Sequence, residues 1–331
     1  MDMLSRLIDL ARPQASLDLR CLLSGGFDID HAPMETGIAP FHLVLGGACL
    51  IETTGGGEVA LRPGDFVLFP RGAAHRVRNV ARTSATAPLT LGHDGMLPVR
   101  RNDGNDGNDG NDGNNGDTGN APAAQPDVDL LCGRFVYSPG SSALLLNALP
   151  DPFHVSLGSA QALGPLQTVI ALMRAEAEHR QPGALAIVTA LSHALFAMAL
   201  RVHGEQNTST SGVLTLLADA RLGASVQSML SAPERAWTIA ELGDLAAMSR
   251  ATYARHFNER AGMTVMDFLT QIRMTIACDL LLRTQRSAAE IGEMVGYQSE
   301  AAFGKAFQQS AGETPGRYRR RPQEGDAAQS E

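Results

Sequence analysis

The sequence predicts an α+β chain: a strand-rich N-terminal part and a helical pair, then an all-α C-terminal part with two helix-turn-helix units. Three observations predict it. "LRPGDFVLFPRGAAHRVRN" alternates as strands do, between Gly and Pro turn signals. Residues 161–203 carry helical apolar patterns. Residues 238–264 and 287–314 are one helical unit written twice. A length of 331 residues suffices for two domains.

The chain opens on "MDMLSRLIDLARP", where Met3, Leu4, Leu7, Ile8 and Leu10 stand among charges. It reads as a short amphipathic helix. A secretory signal needs a basic start and an unbroken apolar core. No apolar run of about 18 residues is found, so no membrane span is expected. Cys21, Cys49, Cys132 and Cys278 stand far apart with no C-x-x-C, which suits a reduced cytoplasm better than a zinc ribbon or disulfide scaffold.

Strand patterns follow. Gly64, Pro70, Gly72, His75 and Asn79 are spaced G-x5-P-x-G-x2-H-x3-N. This spacing resembles the second cupin motif, and the resemblance implies an antiparallel jelly-roll barrel. A catalytic cupin holds a metal with several histidines and a carboxylate. The motif would supply His75. The first motif should add H-x-H and Glu, but "GIAPFHLVLGGACLIE" offers only His42. Two imidazoles make a poor redox-metal site, so no metal, cofactor or catalytic residue is expected. His75 is read as a turn histidine hydrogen-bonded in the barrel wall. Residues 1–160 are thus read as a cupin-like, ligand-sensing domain without enzyme activity. The alternative is a dioxygenase-like cupin metalloenzyme with an accessory DNA-binding part.

"RNDGNDGNDGNDGNNGDTGN" interrupts that domain at 101–120. Calcium-binding Gly/Asp repeats have a nine-residue period with a regular apolar position. This run has a period near three and no apolar residue, and Asn114 stands where an EF-hand starting at Asp103 would need Glu. It reads, with much of 82–126, as a disordered insertion between strands. In the pair at 161–203, Leu166, Val169, Ile170 and Met173 share one face, and the second helix is apolar nearly all round. "GEQNTSTSG" begins a linker, 204–218, that runs into the next helix.

In the repeat, Glu241, Leu242, Gly243 and Leu245 match Glu290, Ile291, Gly292 and Met294 at an offset of 49. After the turn the offset is 50, and Ser249, Tyr253, Arg255, Phe257 and Gly262 match Ser299, Phe303, Lys305, Phe307 and Gly312. Ser249 or Ser299 caps the second helix of each unit, an aromatic pair at i, i+4 faces inward, and Arg250, Arg255 and Lys305 lie outside. Helix, turn and helix with a cationic outer face is a helix-turn-helix pattern. A single copy would read equally as a bundle with a solvated face. "VMDFLTQIRMTIACDLLLRT" between the units makes a helix of roughly 30 Å, close to the DNA turn of about 34 Å. Charge agrees weakly: 14 Arg against 21 acids in 1–218, but 13 Lys+Arg against 11 acids in 219–321.

With "WTIAEL", "AFGKAF" and "AGETPGRYR", residues 219–321 resemble the AraC/XylS family of transcription regulators. The resemblance implies double-stranded DNA as partner, RNA polymerase as a second partner if the protein activates, and a homodimer through the helical pair. By position, Arg250, Ala251, Ala254 and Arg255 would face DNA in the first unit, and Glu300, Ala301, Ala302, Gly304 and Lys305 in the second. Lys305 stands where Arg is frequent and binds phosphate as a point charge, so the first unit takes the larger share of base readout. Residues 322–331 read as a disordered tail. The opening segment and "LLCG" resemble the subgroup whose cupin senses reactive chlorine or other oxidants through cysteines. That implies Cys21 and Cys132 as redox-sensing residues, with a small-molecule ligand as the other effector. Arg20 and Arg134 would favour their thiolates if the side chains approach. The bland reading is two small core residues.

Overall fold

The computed structural model describes residues 2–83, 88–102, 126–156, 164–179, 181–206 and 212–320. The core of the 101–120 repeat and the tail expected at 322–331 lie outside these residues. Two compact units are present: Gln14–Val136 with Leu149–Val202, and Met1–Pro13 with Tyr137–Ala148 and His203–Glu331. The sequence reading divided the chain linearly near 160, whereas both units are discontinuous in sequence.

The strand-rich unit contains β1 (Gln14–Leu23), β2 (Asp28–His31), β3 (Ile38–Gly47), β4 (Cys49–Thr53), β5 (Glu58–Leu61), β6 (Asp65–Leu68), β7 (His75–Asn79), β8 (Thr90–His93), β9 (Pro98–Arg101), β10 (Val128–Val136) and β11 (Phe153–Ser156). They make a seven-stranded sheet, β11-β6-β3-β10-β1-β9-β8, and a four-stranded sheet, β2-β7-β4-β5. The two sheets share one core, as the double-sheet jelly roll expected from the sequence requires. Cys21, Val44, Leu130 and Cys132 of the larger sheet meet Ile29, Ile51, Leu61 and Val77 of the smaller in one core. Alternation puts every second side chain on that face. Gly47, at φ +72°, makes the tightest passage: a Cβ there would lie 1.7 Å from the Asp127 carbonyl oxygen.

The insertion expected over 82–126 is partly regular. β8 and β9 form a hairpin, and β9 runs parallel to β1. Leu97 and Val99 are buried and tie the hairpin to the sheet. Their apolar signal is short and lies beside a polar tract, so the composition reading absorbed it.

Two further helices are α3 (Gly164–His179) and α4 (Ala184–Gln206). The Phe196 ring of α4 packs 4.9 Å from Phe135 of β10. Ala184–Glu205 is long and apolar enough to cross a membrane by length and composition, a feature the sequence reading did not expect. In the fold Val188, Leu195, Phe196 and Ala199 are buried while Leu185 and Ile187 are exposed. The helix is therefore buried on one face, not all round.

The helical unit contains α1 (Met3–Ala11), α2 (Pro139–Leu146), α5 (Val213–Ala218), α6 (Gly223–Ser231), α7 (Ile239–Leu245), α8 (Arg250–Ala261), α9 (Val265–Arg283), α10 (Ala288–Met294), α11 (Glu300–Ala311) and α12 (Pro315–Arg319). Helix α1 is amphipathic as expected: the Asp2 side chain caps it through Ser5, and Leu7, Leu10 and Ala11 are buried. Two cores share α9 as a rod. Phe268 and Ile272 pack with Leu242, Tyr253 and Phe257, while Ala277 and Leu281 pack with Ile291, Phe303 and Phe307.

Candidate nucleic-acid interface and thiol–imidazole cluster

The two helix-turn-helix units are built alike down to their caps. Thr238 and Glu241 form a capping box on α7, and Ser287 and Glu290 form the same box on α10. Ser249 and Ser299 accept from the backbone N–H of Thr252 and Ala302 and start α8 and α11. Gly262 and Gly312 end those helices in the left-handed region, at φ 71° and 77°. At Gly292 a Cβ would sit 3.0 Å from the Cβ of Phe303. The matched glycines therefore allow the first helix of each unit to lie close against the second.

Burial of α8 and α11 repeats residue by residue over 250–259 and 300–309. Tyr253, Phe257, Phe303 and Phe307 are fully buried. Arg250, Ala251, Arg255, Glu300, Ala301, Ala302 and Lys305 are exposed, and Ala254 and Gly304 are half-buried. Seven of the nine residues assigned to the DNA face are thus exposed, and Ala254 and Gly304 lie at its margin. Lys305 is the only lysine of the chain.

A buried carboxylate positions α8. Asp219 Oδ2 accepts from His256 Nε2 at 2.8 Å and from Arg260 Nε at 2.9 Å. Burial alone would raise its pKa. The bonds from Arg260, the Arg221 backbone and His256 outweigh burial and bring it down to about 2.

In the strand-rich unit Cys21 and Cys132 come together. β1 and β10 are antiparallel, with Leu19 opposite Cys132 and Cys21 opposite Leu130. The two cysteines are therefore diagonal neighbours on one face, and both are buried. The Cys132 side chain holds Cys21 below the usual thiol range, against the effect of burial. Cys132 in turn is pushed up by Cys21, and burial adds to this.

The nearby cation is not the expected one. Arg20 binds Asp129 through two bonds of 3.0 and 2.8 Å and the Ala177 carbonyl at 2.9 Å. Arg134 pairs with Asp18 at 3.1 Å. Adjacent strand residues point to opposite faces, so Arg20 is turned away from Cys21. Arg100 of β9 supplies the positive field at both cysteines instead.

Cys132 leads into a histidine cluster. His42 Nδ1 lies 3.1 Å from Cys132 Sγ, and His42 Nε2 lies 2.7 Å from His75 Nε2. His75 Nδ1 donates to the Ala73 carbonyl at 3.0 Å, as expected of a wall histidine. The third member, His31, has no place in either cupin-like motif. It stands opposite His75 in the β2–β7 pair, and the two rings stack with centroids 4.7 Å apart. One ring nitrogen from each histidine lies within 4.8 Å of the other two. Burial lowers all three pKa values, His31 to about 4, where the His75 ring adds to the effect. All three are neutral at pH 7.

The pairing of this sandwich with two helix-turn-helix units defines a class: a DNA-binding regulator with a cupin input domain. The family models agree, with "Cupin" matching residues 2–205 and "Helix-turn-helix domain" matching residues 242–321. The chain belongs to the AraC-type transcriptional regulators with an N-terminal cupin. It is 31% identical, over 97% of its length and 99% of the relative's, to an "Uncharacterized HTH-type transcriptional regulator" of Haemophilus influenzae. It is 30% identical to the "RCS-specific HTH-type transcriptional activator RclR" of Escherichia coli, covering 97% of this chain and 98% of that one. It is 31% identical to "HTH-type transcriptional regulator MtrA" of Neisseria gonorrhoeae, with the same shares covered. Among solved structures, the AdpA DNA-binding domain in complex with a target DNA is 27% identical, covering 32% of this chain and 98% of that one, with a TM-score of 0.30.

Proposed function

We propose that this transcription regulator is switched by oxidation of Cys21 and Cys132. The observation that carries the reading is the pair of buried thiols at diagonal positions on neighbouring strands, with Arg100 opposite Cys21 on β9. The relative named RCS-specific supports the same class of signal. The step is balanced as two thiols and one hypohalous acid, here hypochlorous acid, giving one disulfide, chloride, a proton and water. Chlorine takes the two electrons that the sulfurs lose. Diagonal strand neighbours stand about 7–8 Å apart at Cα, and a disulfide needs less than about 7 Å. Closing the bond therefore pulls β1 and β10 slightly together.

DNA is bound through Arg250, Ala251, Ala254 and Arg255 of α8 and Glu300, Ala301, Ala302, Gly304 and Lys305 of α11. Their shared outer face supports this. The exposed apolar residues Leu172 of α3 and Leu185 and Ile187 of α4 support pairing of two copies. RNA polymerase is the further partner if the outcome is activation. The protein acts as a regulator and not as an enzyme, in keeping with relatives that match along their whole length and carry regulator names.

The test is mass spectrometry after limiting hypochlorite. Cys21 and Cys132 should be modified before Cys49, whose thiol burial pushes up to about 12, and before the buried Cys278. Modification of Cys49 or Cys278 first would contradict the reading.

A further inference from the structure

We propose that His31, His42 and His75 bind one divalent transition-metal ion of the zinc class, and that Cys132 holds His42 from outside the coordination shell. Only His42 and His75 stand at motif positions, and that pair alone was too poor a site. The fold adds His31 from the end of β2. Three imidazoles with an open fourth position are a complete protein ligand set for zinc.

The spacing fits. Tetrahedral bonds of about 2.0–2.1 Å put ligand nitrogens about 3.4 Å apart. Here the facing nitrogens of His42 and His75 are 2.7 Å apart, and all three ligand atoms lie within 4.8 Å. Side-chain shifts of about 1 Å would seat an ion. Two facing ring nitrogens must otherwise share one proton, and an ion in its place would satisfy both lone pairs.

The outer shell is already in place. A metal-bound histidine carries its proton on the other ring nitrogen and donates it to a fixed acceptor. His75 does so toward the Ala73 carbonyl at 3.0 Å. His42 faces Cys132 Sγ at 3.1 Å with the nitrogen opposite the one that faces His75. The sulfur therefore lies across the His42 ring from the ion. One imidazole separates the metal from the thiol pair, so metal affinity and the state of Cys132 are linked reciprocally.

The experiment has two arms, both on the full-length protein. In the first, reduced and chelator-stripped protein is titrated with Zn²⁺ and Co²⁺ alone by calorimetry, absorption and elemental analysis. One equivalent should bind, and cobalt should show visible d–d bands without a thiolate charge-transfer band. His31→Asn should weaken zinc by about 100-fold or more, and Cys132→Ala by about tenfold. His75→Asn serves as a second ligand variant, with circular dichroism checking that each is folded. Absence of stoichiometric metal, or wild-type affinity in folded His31→Asn, would overturn the site. A thiolate band would overturn the outer placement of Cys132. The second arm rests on the oxidation reading: once the disulfide is verified, zinc affinity should fall about tenfold. Unchanged affinity with the disulfide formed overturns the linkage. Failure of the disulfide to form sinks the oxidation reading, while the first arm, run without oxidant, decides the metal site.

Discussion

At the scale of single residues, the proposed DNA face has Arg255 and Lys305 making two different kinds of contact. They occupy matched positions on α8 and α11, both exposed. A guanidinium can grip a guanine edge with two bonds, whereas an ammonium acts on phosphate as a point charge. Arg255→Ala should therefore cost about 1–3 kcal/mol on the cognate site and relax specificity there. Lys305→Ala should weaken all sequences and lower the salt slope by about one. Titrations on cognate and scrambled DNA at several salt concentrations check both. Equal loss on both DNAs for Arg255→Ala would remove it from base readout. As the only lysine, Lys305 adds a direct readout: bound DNA should protect it from acylation. Legibility differed sharply between residues at this scale. The matched outward-facing positions of α8 and α11 were readable because the repeat aligns them. Arg20 was misread because adjacency in sequence means opposition across a strand. His31 carried no local signal, since only the pairing of β2 with β7 brings it to His75.

At the scale of elements, Asp219 ties the entry of the DNA-binding part to α8. Its carboxyl titrates near 2 in the fold, against about 3.9 when unfolded. A depressed carboxylate adds stability above its unfolded pKa, and that stability is lost as pH falls through 4 toward 2. The difference corresponds to about 2–3 kcal/mol. Asp219→Asn should lower stability by about that amount at pH 7 in urea melts, with the gap closing toward pH 2. A gap that persists undiminished at pH 2 would mean that shape, not charge, holds the contact. The helices of both units were legible from their apolar period, the Ser caps and the doubled Gly. The β8–β9 hairpin was not, because Leu97 and Val99 are its main buried apolar residues and a low-complexity tract follows at once. The jelly roll was legible from the second cupin-like motif. Local alternation fixes which face of a strand is buried, but not the order in which the strands pair.

At the scale of the whole molecule, the thiol and imidazole side chains and the two helix-turn-helix units fall in different compact units. Residues 219–321 carry 13 Lys+Arg against 11 Asp+Glu, while 1–218 carry 14 against 21. The positive side is slight, so base contacts and the paired helices must supply what net charge does not. The thiols and imidazoles sit together in the strand-rich unit, and the central claim is that their oxidation alters DNA binding by the other. The most direct measurement is the affinity of purified full-length protein for its own upstream DNA, reduced and after stoichiometric hypochlorite, beside a Cys21→Ser, Cys132→Ser double variant. The account predicts that oxidation changes wild-type affinity by roughly tenfold, a coupling of about 1.4 kcal/mol, while the double variant binds like the reduced protein in both states. An equal response in the double variant would contradict it and move the signal to a ligand held elsewhere in the cupin.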